Sequence, residues 1–477
     1  MTADNIVLTE HGRLNGIRHQ DLLCFLGVPF AAPPVGNLRW KPPQPVTPWQ
    51  GVRDARAFGL DAIQPVRGRT SRAPGQSEDC LYLNIWAPAE PVTDGWPVMI
   101  WSGGGSFTTG GGAFSEEEGA ALARQGAVVV SFNYRLGVLG FLAHPALSAE
   151  SPHGSSGNYG LLDHLAVLAW VRANIGQFGG NADNLTYVGA SAGAAAGIAA
   201  LASPLLTKAF DKAIFQSPGS YAPLSSLADA EDHGLQLGLD LEDLRALDAA
   251  ELEARAASLA SPSLTLTAAR PMRPIVDGWV VPTQIDPASP DFPVIPLLAG
   301  SNEDEGRFFA KRMNVASADD YRGYLEKVFG ATADAVAALY PVSSDRDVGS
   351  SFSRLFGDHS IELGLRRLLR AMADRRADVF RYVFDHRRND GIPPTHADEG
   401  DFLFGTLEDV DGDDRQASEI MMRYWVNFAQ TGDPNGAGLV EWPRFTTSEE
   451  AHLLLAATPR AGAKWRESQL ASLQKLI

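Results

Sequence analysis

Cysteine is scarce, with two residues in a chain of 477. That excludes a disulfide-built scaffold and any cysteine-rich metal site. Cys24, in LLCFLGVPF, and Cys80, in EDCLYLNIW, lie in apolar, strand-like surroundings, so two reduced core thiols are expected rather than a bridge. Long apolar runs are also missing. None approaches the roughly 20 residues of a membrane span, and the polar start MTADNIVLTEHGRLNG lacks the basic and apolar regions of a signal peptide. A cytoplasmic enzyme is the simplest expectation. Basic residues are outnumbered, 40 to 57 acidic, for a net charge of -17, which repels phosphate backbones and anionic lipids. Nucleic-acid and membrane-surface partners are therefore not expected. Neither His-Glu-x-x-His nor Cys-x-x-Cys spacing occurs, so no metal or organic cofactor is expected either.

What is present is ordinary globular material, 45% hydrophobic and 20% charged, without an internal repeat or a low-complexity tail. Short apolar runs alternate with helical ones, the pattern of a largely parallel sheet covered by helices. The clearest strands are Val98–Trp101, Ala127–Phe132, Leu185–Gly189, Lys212–Gln216, Pro293–Ala299 and Val379–Phe384. Leu161, Leu165, Leu168, Val171 and Ile175 recur at helical spacing within a predicted helix from Gly160 to Phe178. Residues 5 to 95 differ: prolines in PFAAPPVG and KPPQPVTP break short strands, which suggests an antiparallel start to the sheet. The expected organisation is one α/β domain spanning 1–477. Helical insertions at about 225–262 and 315–375 are expected to cap a pocket.

One Gly-x-Ser-x-Gly occurs, Gly189-Ala190-Ser191-Ala192-Gly193, between the apolar strand LTYVG and the helix-forming GAAAGIAALAS. A serine on such a sharp turn is pushed out at the carboxyl end of the sheet, where the helix N-terminus favours negative charge. Ser191 is thus the candidate nucleophile. An ester hydrolase also needs N–H donors for an oxyanion. The amide of Ala192 is one candidate, and the loop Ser102-Gly103-Gly104-Gly105-Ser106-Phe107 after an earlier strand offers others. That loop lacks the Lys-Ser/Thr ending of a P-loop, which argues against nucleotide phosphate.

In this chain order an acid follows the nucleophile and a histidine follows the acid. Glu303, Asp304 and Glu305 all stand after a late strand, and the residues alone do not choose among them. The two not used are expected to be solvated loop charges. Of ten histidines, His386, His396 and His452 lie downstream of Val379. His386 closes a strand beside two arginines, which suggests a surface or salt-linked role. His396 sits in a loop entered through IPPT, the position expected of a base reaching back to Ser191.

Taken in order, FLGVPFAAPPVGNLRWKPPQP, SEDCLYLNIWAP, FNYRLGVLGFL, GNYGLLDHLAVLAWVRANIGQFGGNADNLTYVGASAG, AIFQS, GSNEDEG and YWVNFAQTGDPN resemble the type-B carboxylesterases over almost the whole chain. That family includes para-nitrobenzyl esterases and cholinesterases. The resemblance implies an α/β-hydrolase fold and a small-molecule ester substrate, and leaves oligomeric state open. It implies Glu305 as acid, His396 as base, and Gly105, Ser106 and Ala192 as oxyanion donors. Phe107, Phe308 and Phe309 would line the substrate pocket, and Ser217 would support the acid. Arg39 with Glu78 and Arg135 with Asp163 would be structural ion pairs. Departures are visible: Ala190 stands where the family usually has Glu, Gly103 where it has His, and Ser106 where it has a smaller residue. The partner usual for Cys80 is missing near AFGLDAIQPV. Two other classes share the scaffold: a non-catalytic binding protein, and a hydrolase of amide, carbamate, thioester or lactone bonds.

Overall fold

The computed structural model describes residues 5–65, 68–206, 208–219, 221, 223–259 and 271–477. The end of the first expected insertion, 260–262, lies outside them. Among the described residues eleven strands form the central sheet: β1 (Ile17–His19), β2 (Leu22–Pro29), β3 (Tyr82–Pro88), β4 (Trp96–Ser102), β5 (Val128–Phe132), β6 (Gly180–Ala190), β7 (Lys212–Gln216), β8 (Leu297–Asn302), β9 (Val379–Phe384), β10 (Ala451–Leu455) and β11 (Arg460–Ala463). Their order across the sheet is β1-β2-β3-β5-β4-β6-β7-β8-β9-β10-β11. Pairing is antiparallel from β1 through β3 to β5, parallel from β5 to β10, and antiparallel again at β11. The antiparallel start and the parallel centre match the pattern of prolines and apolar runs.

Because successive side chains leave opposite faces of a strand, each central strand feeds two cores. From β4, Val98 and Ile100 join one cluster while Met99 and Trp101 join the other. From β9, Val379 goes to the first, and Phe380, Tyr382 and Phe384 go to the second. Helices α1 (Tyr159–Asn174) and α2 (Ala192–Ala202) cover the first face. On the second lie α4 (Glu399–Phe404) and α5 (Gly412–Thr431), whose Met421, Trp425 and Phe428 are fully buried. The short α3 (Gly306–Ala310) follows β8. Each aliphatic or aromatic side chain so buried contributes about 1.5–3 kcal/mol. This is the mixed, mostly parallel sheet flanked by helices that an α/β-hydrolase requires.

The strand expected at Pro293–Ala299 begins later, at Leu297, and runs on to Asn302. Pro293 and Pro296 have no N–H to donate to a ladder, whereas Ser301 and Asn302 are paired in register with Val383 and Phe384 of β9. Helices occupy Leu227–Leu235, Leu241–Ala246 and Ala249–Ser258 in the first insertion. In the second, Ala318–Phe329, Ala333–Leu339, Asp345–Gly357 and Leu363–Asp374 are helical. The second builds a small core of its own around Tyr321, Tyr324, Phe352 and Phe356. Cys24 and Cys80 are both free. Among the described residues no helix is long and apolar enough to cross a membrane.

Candidate active site

The turn after β6 has no room for side chains. A Cβ on Gly193 would stand 2.0 Å from the carbonyl oxygen of Ser102, and one on Gly189 would stand 2.7 Å from the nitrogen of Ala194. The close pass of two backbones forces Ser191 into a strained conformation, φ 53° and ψ −117°. Its N–H donates to the carbonyl of Gln216 at 2.9 Å, which holds the turn against β7.

Two loops at the same sheet edge are tied together. The N–H of Asp304 donates to Pro394 O at 3.0 Å, Thr395 Oγ1 donates to Asp304 O at 2.7 Å, and the N–H of Phe308 donates to Thr395 Oγ1 at 3.0 Å. This lacing fixes the His396 ring between two partners. Nε2 lies 2.9 Å from Ser191 Oγ, and Nδ1 lies 2.6 Å from Glu305 Oε2. With Nδ1–H donating to the carboxylate, Nε2 is left to accept the serine proton.

Glu305 is 3% exposed, and its Oε1 accepts from Ser217 Oγ at 2.5 Å and from the Asn302 N–H at 2.7 Å. Burial favours its neutral form, but the His396 ring and those two donors outweigh it and hold the carboxyl below its usual range. Burial likewise lowers the basicity of His396, and the adjacent Glu305 charge and hydrogen bond prevail, lifting the imidazole above its ordinary 6.5.

The neighbours of Glu305 have other fates. Glu303 forms an ion pair with Arg387 at 2.6 Å, and Asp304 bonds Ser353 and Arg307. The expectation of solvated loop charges is therefore corrected: both carboxylates are engaged by neighbours. His386 is buried, its Nε2 2.8 Å from Asp414 Oδ1. His452 is buried in a third place, its imidazole pushed down to about 4 by burial.

Gly105 (φ 134°), Ser106 (φ 60°) and Phe107 (φ 61°) turn in left-handed conformations, held by the N–H groups of Thr108 and Thr109 on Gly105 O. Two non-glycine residues in that region cost of order 1–3 kcal/mol each. The turn leaves the N–H groups of Gly105 and Ser106 without a carbonyl partner among the described residues. Ala192 opens α2, where a backbone N–H has no helical acceptor.

The cavity at this edge has a volume of about 410 Å³. Gly104, Gly105, Ser106, Ala190, Ser191 and His396 line it, with Phe308 and Phe309 beside them. The Phe309 ring lies 4.8 Å from the imidazole and stacks on Phe356 at 5.1 Å, so the second insertion buttresses it. Phe107 does not belong to that lining. Its left-handed φ turns the ring into the core against Phe141 at 5.3 Å, which corrects the expectation of a pocket residue. Among the described residues the lining takes nothing from 227–258 or 318–374.

Arg39 grips Glu78 through two bonds of 2.7 and 2.6 Å, and Arg135 grips Asp163 at 2.8 and 2.6 Å, both away from the cavity. Sequence reasoning missed Asn302, whose side-chain amide bonds Glu399 at 2.5 Å and also reaches Glu305 at 3.4 Å. It missed Glu399 as well, buried beside the triad-like array and pushed upward by burial and then by the Glu305 charge. The signal for Glu399 was its place three residues after His396, hidden in the acidic run ADEGD.

The family model described as the carboxylesterase family matches residues 3–473. The chain is 48% identical to the fumonisin B1 esterase of Sphingopyxis macrogoltabida, over 92% of this chain and 84% of that protein. It is 34% identical to the para-nitrobenzyl esterase of Bacillus subtilis (strain 168), over 94% of each. Among solved structures it superposes on a PNB esterase with a TM-score of 0.87 at 32% identity, covering both chains in full. Sheet order, the serine turn and these similarities lead to one conclusion: the chain belongs to the carboxylesterase family, as a type-B serine carboxylesterase of α/β-hydrolase fold.

Proposed function

We propose that the enzyme cleaves carboxylic esters through an acyl-enzyme on Ser191, with His396 as general base and acid and Glu305 as the carboxylate that orients it. The observation supporting this reading is the unbroken chain of contacts from Ser191 Oγ through the imidazole to Glu305. The serine proton passes to Nε2 as Oγ attacks the ester carbonyl. The resulting oxyanion accepts from the amides of Gly105, Ser106 and Ala192, donors worth about 3–4 kcal/mol each when removed singly in such sites. Collapse of the intermediate expels the alcohol, which takes the proton from Nε2. Water, deprotonated by the same nitrogen, then releases the acid and restores Ser191. Ser217 acts behind this relay by bonding Glu305.

The test uses p-nitrophenyl butanoate and a fluorophosphonate. Steady turnover and labelling at Ser191 are expected, and Ser191→Ala should abolish both; turnover surviving in that variant sinks the reading. The similarity to a fumonisin B1 esterase makes that compound the first natural ester to assay. A reducing, cytoplasmic setting belongs to the same proposal. It is supported by the two free cysteines, Cys24 with its thiol pushed up to about 11 by burial, and both should titrate with a thiol reagent after unfolding.

A further inference from the structure

The cavity has a charged wall that the ester chemistry leaves unused. Glu116, Glu117, Asp401 and Arg69 all line it. Glu117 is 7% exposed, and only one of its oxygens is engaged: Oε1 accepts from Arg69 Nη2 at 2.6 Å. Oε2 is buried without a hydrogen-bond partner among the described residues. A carboxylate oxygen withdrawn from water in this way costs free energy unless something donates to it.

The position of Glu117 depends on Gly103. A Cβ at residue 103 would stand 2.8 Å from Glu117 Oε1 and 2.9 Å from Oε2. The carboxylate thus occupies the space that any side chain on the loop before Gly105 would need. Glycine at 103 and glutamate at 117 form one arrangement, which delivers a carboxylate to the neighbourhood of the nucleophile.

The charge balance decides what this wall can take. Arg69 lies over the Phe114 ring at 4.0 Å and feels Glu117, Glu116 and Asp401 together. Three carboxylates face one guanidinium, so an anionic group would meet net repulsion there. The other lining cation, Arg312, is exposed and stacks on Phe308 at 4.1 Å, on a different element.

Resting on the proposed role of Ser191, we propose that Glu117 is a specificity-determining residue. Its Oε2, which no described protein group satisfies, accepts a hydrogen bond from a hydroxyl or protonated amine carried by the ester, at the stretch of cavity wall where Gly103 makes room for the carboxylate.

The experiment compares kcat/KM for two matched ester series. In one the acyl chain ends in methyl, hydroxyl, ammonium, trimethylammonium or carboxylate; in the other the alcohol does. Active sites are first titrated with the fluorophosphonate, so that loss of Ser191 chemistry is read apart from loss of preference. In one series the wild-type enzyme should favour ammonium about tenfold over methyl, with hydroxyl between them. Trimethylammonium, which has charge but no N–H, should fall well below ammonium. Glu117→Met should bring the ammonium-to-methyl ratio close to one. The proposal is overturned by equal turnover of ammonium and methyl esters in both series, or by trimethylammonium equalling ammonium. A preference for the carboxylate ester, or a ratio that survives in the Met variant, overturns it equally. The wild-type ranking needs no variant to fold.

Discussion

Ser217 donates its hydroxyl proton to Glu305 at 2.5 Å, from a residue that itself sits at φ 47° just beyond β7. The neighbouring strand thereby helps orient the carboxylate that faces His396. A hydrogen bond to a charged group contributes about 1.5–3 kcal/mol. Ser217→Ala is expected to lower kcat roughly tenfold with KM little changed, measured on p-nitrophenyl butanoate. An unchanged kcat would assign Ser217 to packing alone.

The pH profile follows from the raised imidazole. On the proposed mechanism His396 serves as base only when neutral, so kcat/KM should fall as pH drops through its folded-state value, with a midpoint above 6.5. The Glu305 charge lifts that midpoint, so in Glu305→Gln it should move down. The same variant should lose about 10⁴-fold in kcat, because the wrong tautomer is favoured. A midpoint that stays put would mean that Glu305 does not set the titration.

The Arg135–Asp163 pair is buried on both sides, at 3% and 0% side-chain exposure. Removing one partner of such a pair costs about 3–5 kcal/mol, since the other charge is stranded. Arg135→Met should lower the denaturation midpoint accordingly. Arg135→Met combined with Asp163→Leu should recover much of the loss, as urea titrations would reveal.

Gly193→Ala tests the turn itself. The added methyl would stand 2.0 Å from Ser102 O, a backbone atom that cannot swing aside. The expected destabilisation exceeds the roughly 1–3 kcal/mol of ordinary overpacking. Fluorophosphonate labelling should be lost in any protein that still folds. Normal labelling in a stable variant would show that the two chains can separate.

How much of this was legible in the sequence differs by element. Strands such as Lys212–Gln216 and Val379–Phe384 announced themselves as apolar runs, because both of their faces are buried. The start of β8 is not legible in composition, since the apolar stretch around Pro293 does not supply the N–H groups that a ladder needs. The Ser191 turn carried its own small-residue pattern. The spatial meeting of His396 with Glu305 could not be read locally: 91 residues separate them, and loop-to-loop lacing closes the gap. Glu117 was invisible because SEEEG reads as a solvated acidic run. What turns it inward is a short helical turn at Ser115–Glu117 beneath Arg69.

Asn302 touches both Glu305 and Glu399, yet their environments push the two acids apart: one is held down by its donors, the other lifted. Of the two, Glu305 is therefore the one whose negative charge is favoured behind the imidazole. On the proposed path an alkoxide and an imidazolium arise together and disappear together, so the interior stays electroneutral in its changes. Neither transition state on that path then needs a counterion from solvent, because the charges it creates fall on Ser191-bound substrate and on an imidazole already in contact with Ser191 Oγ.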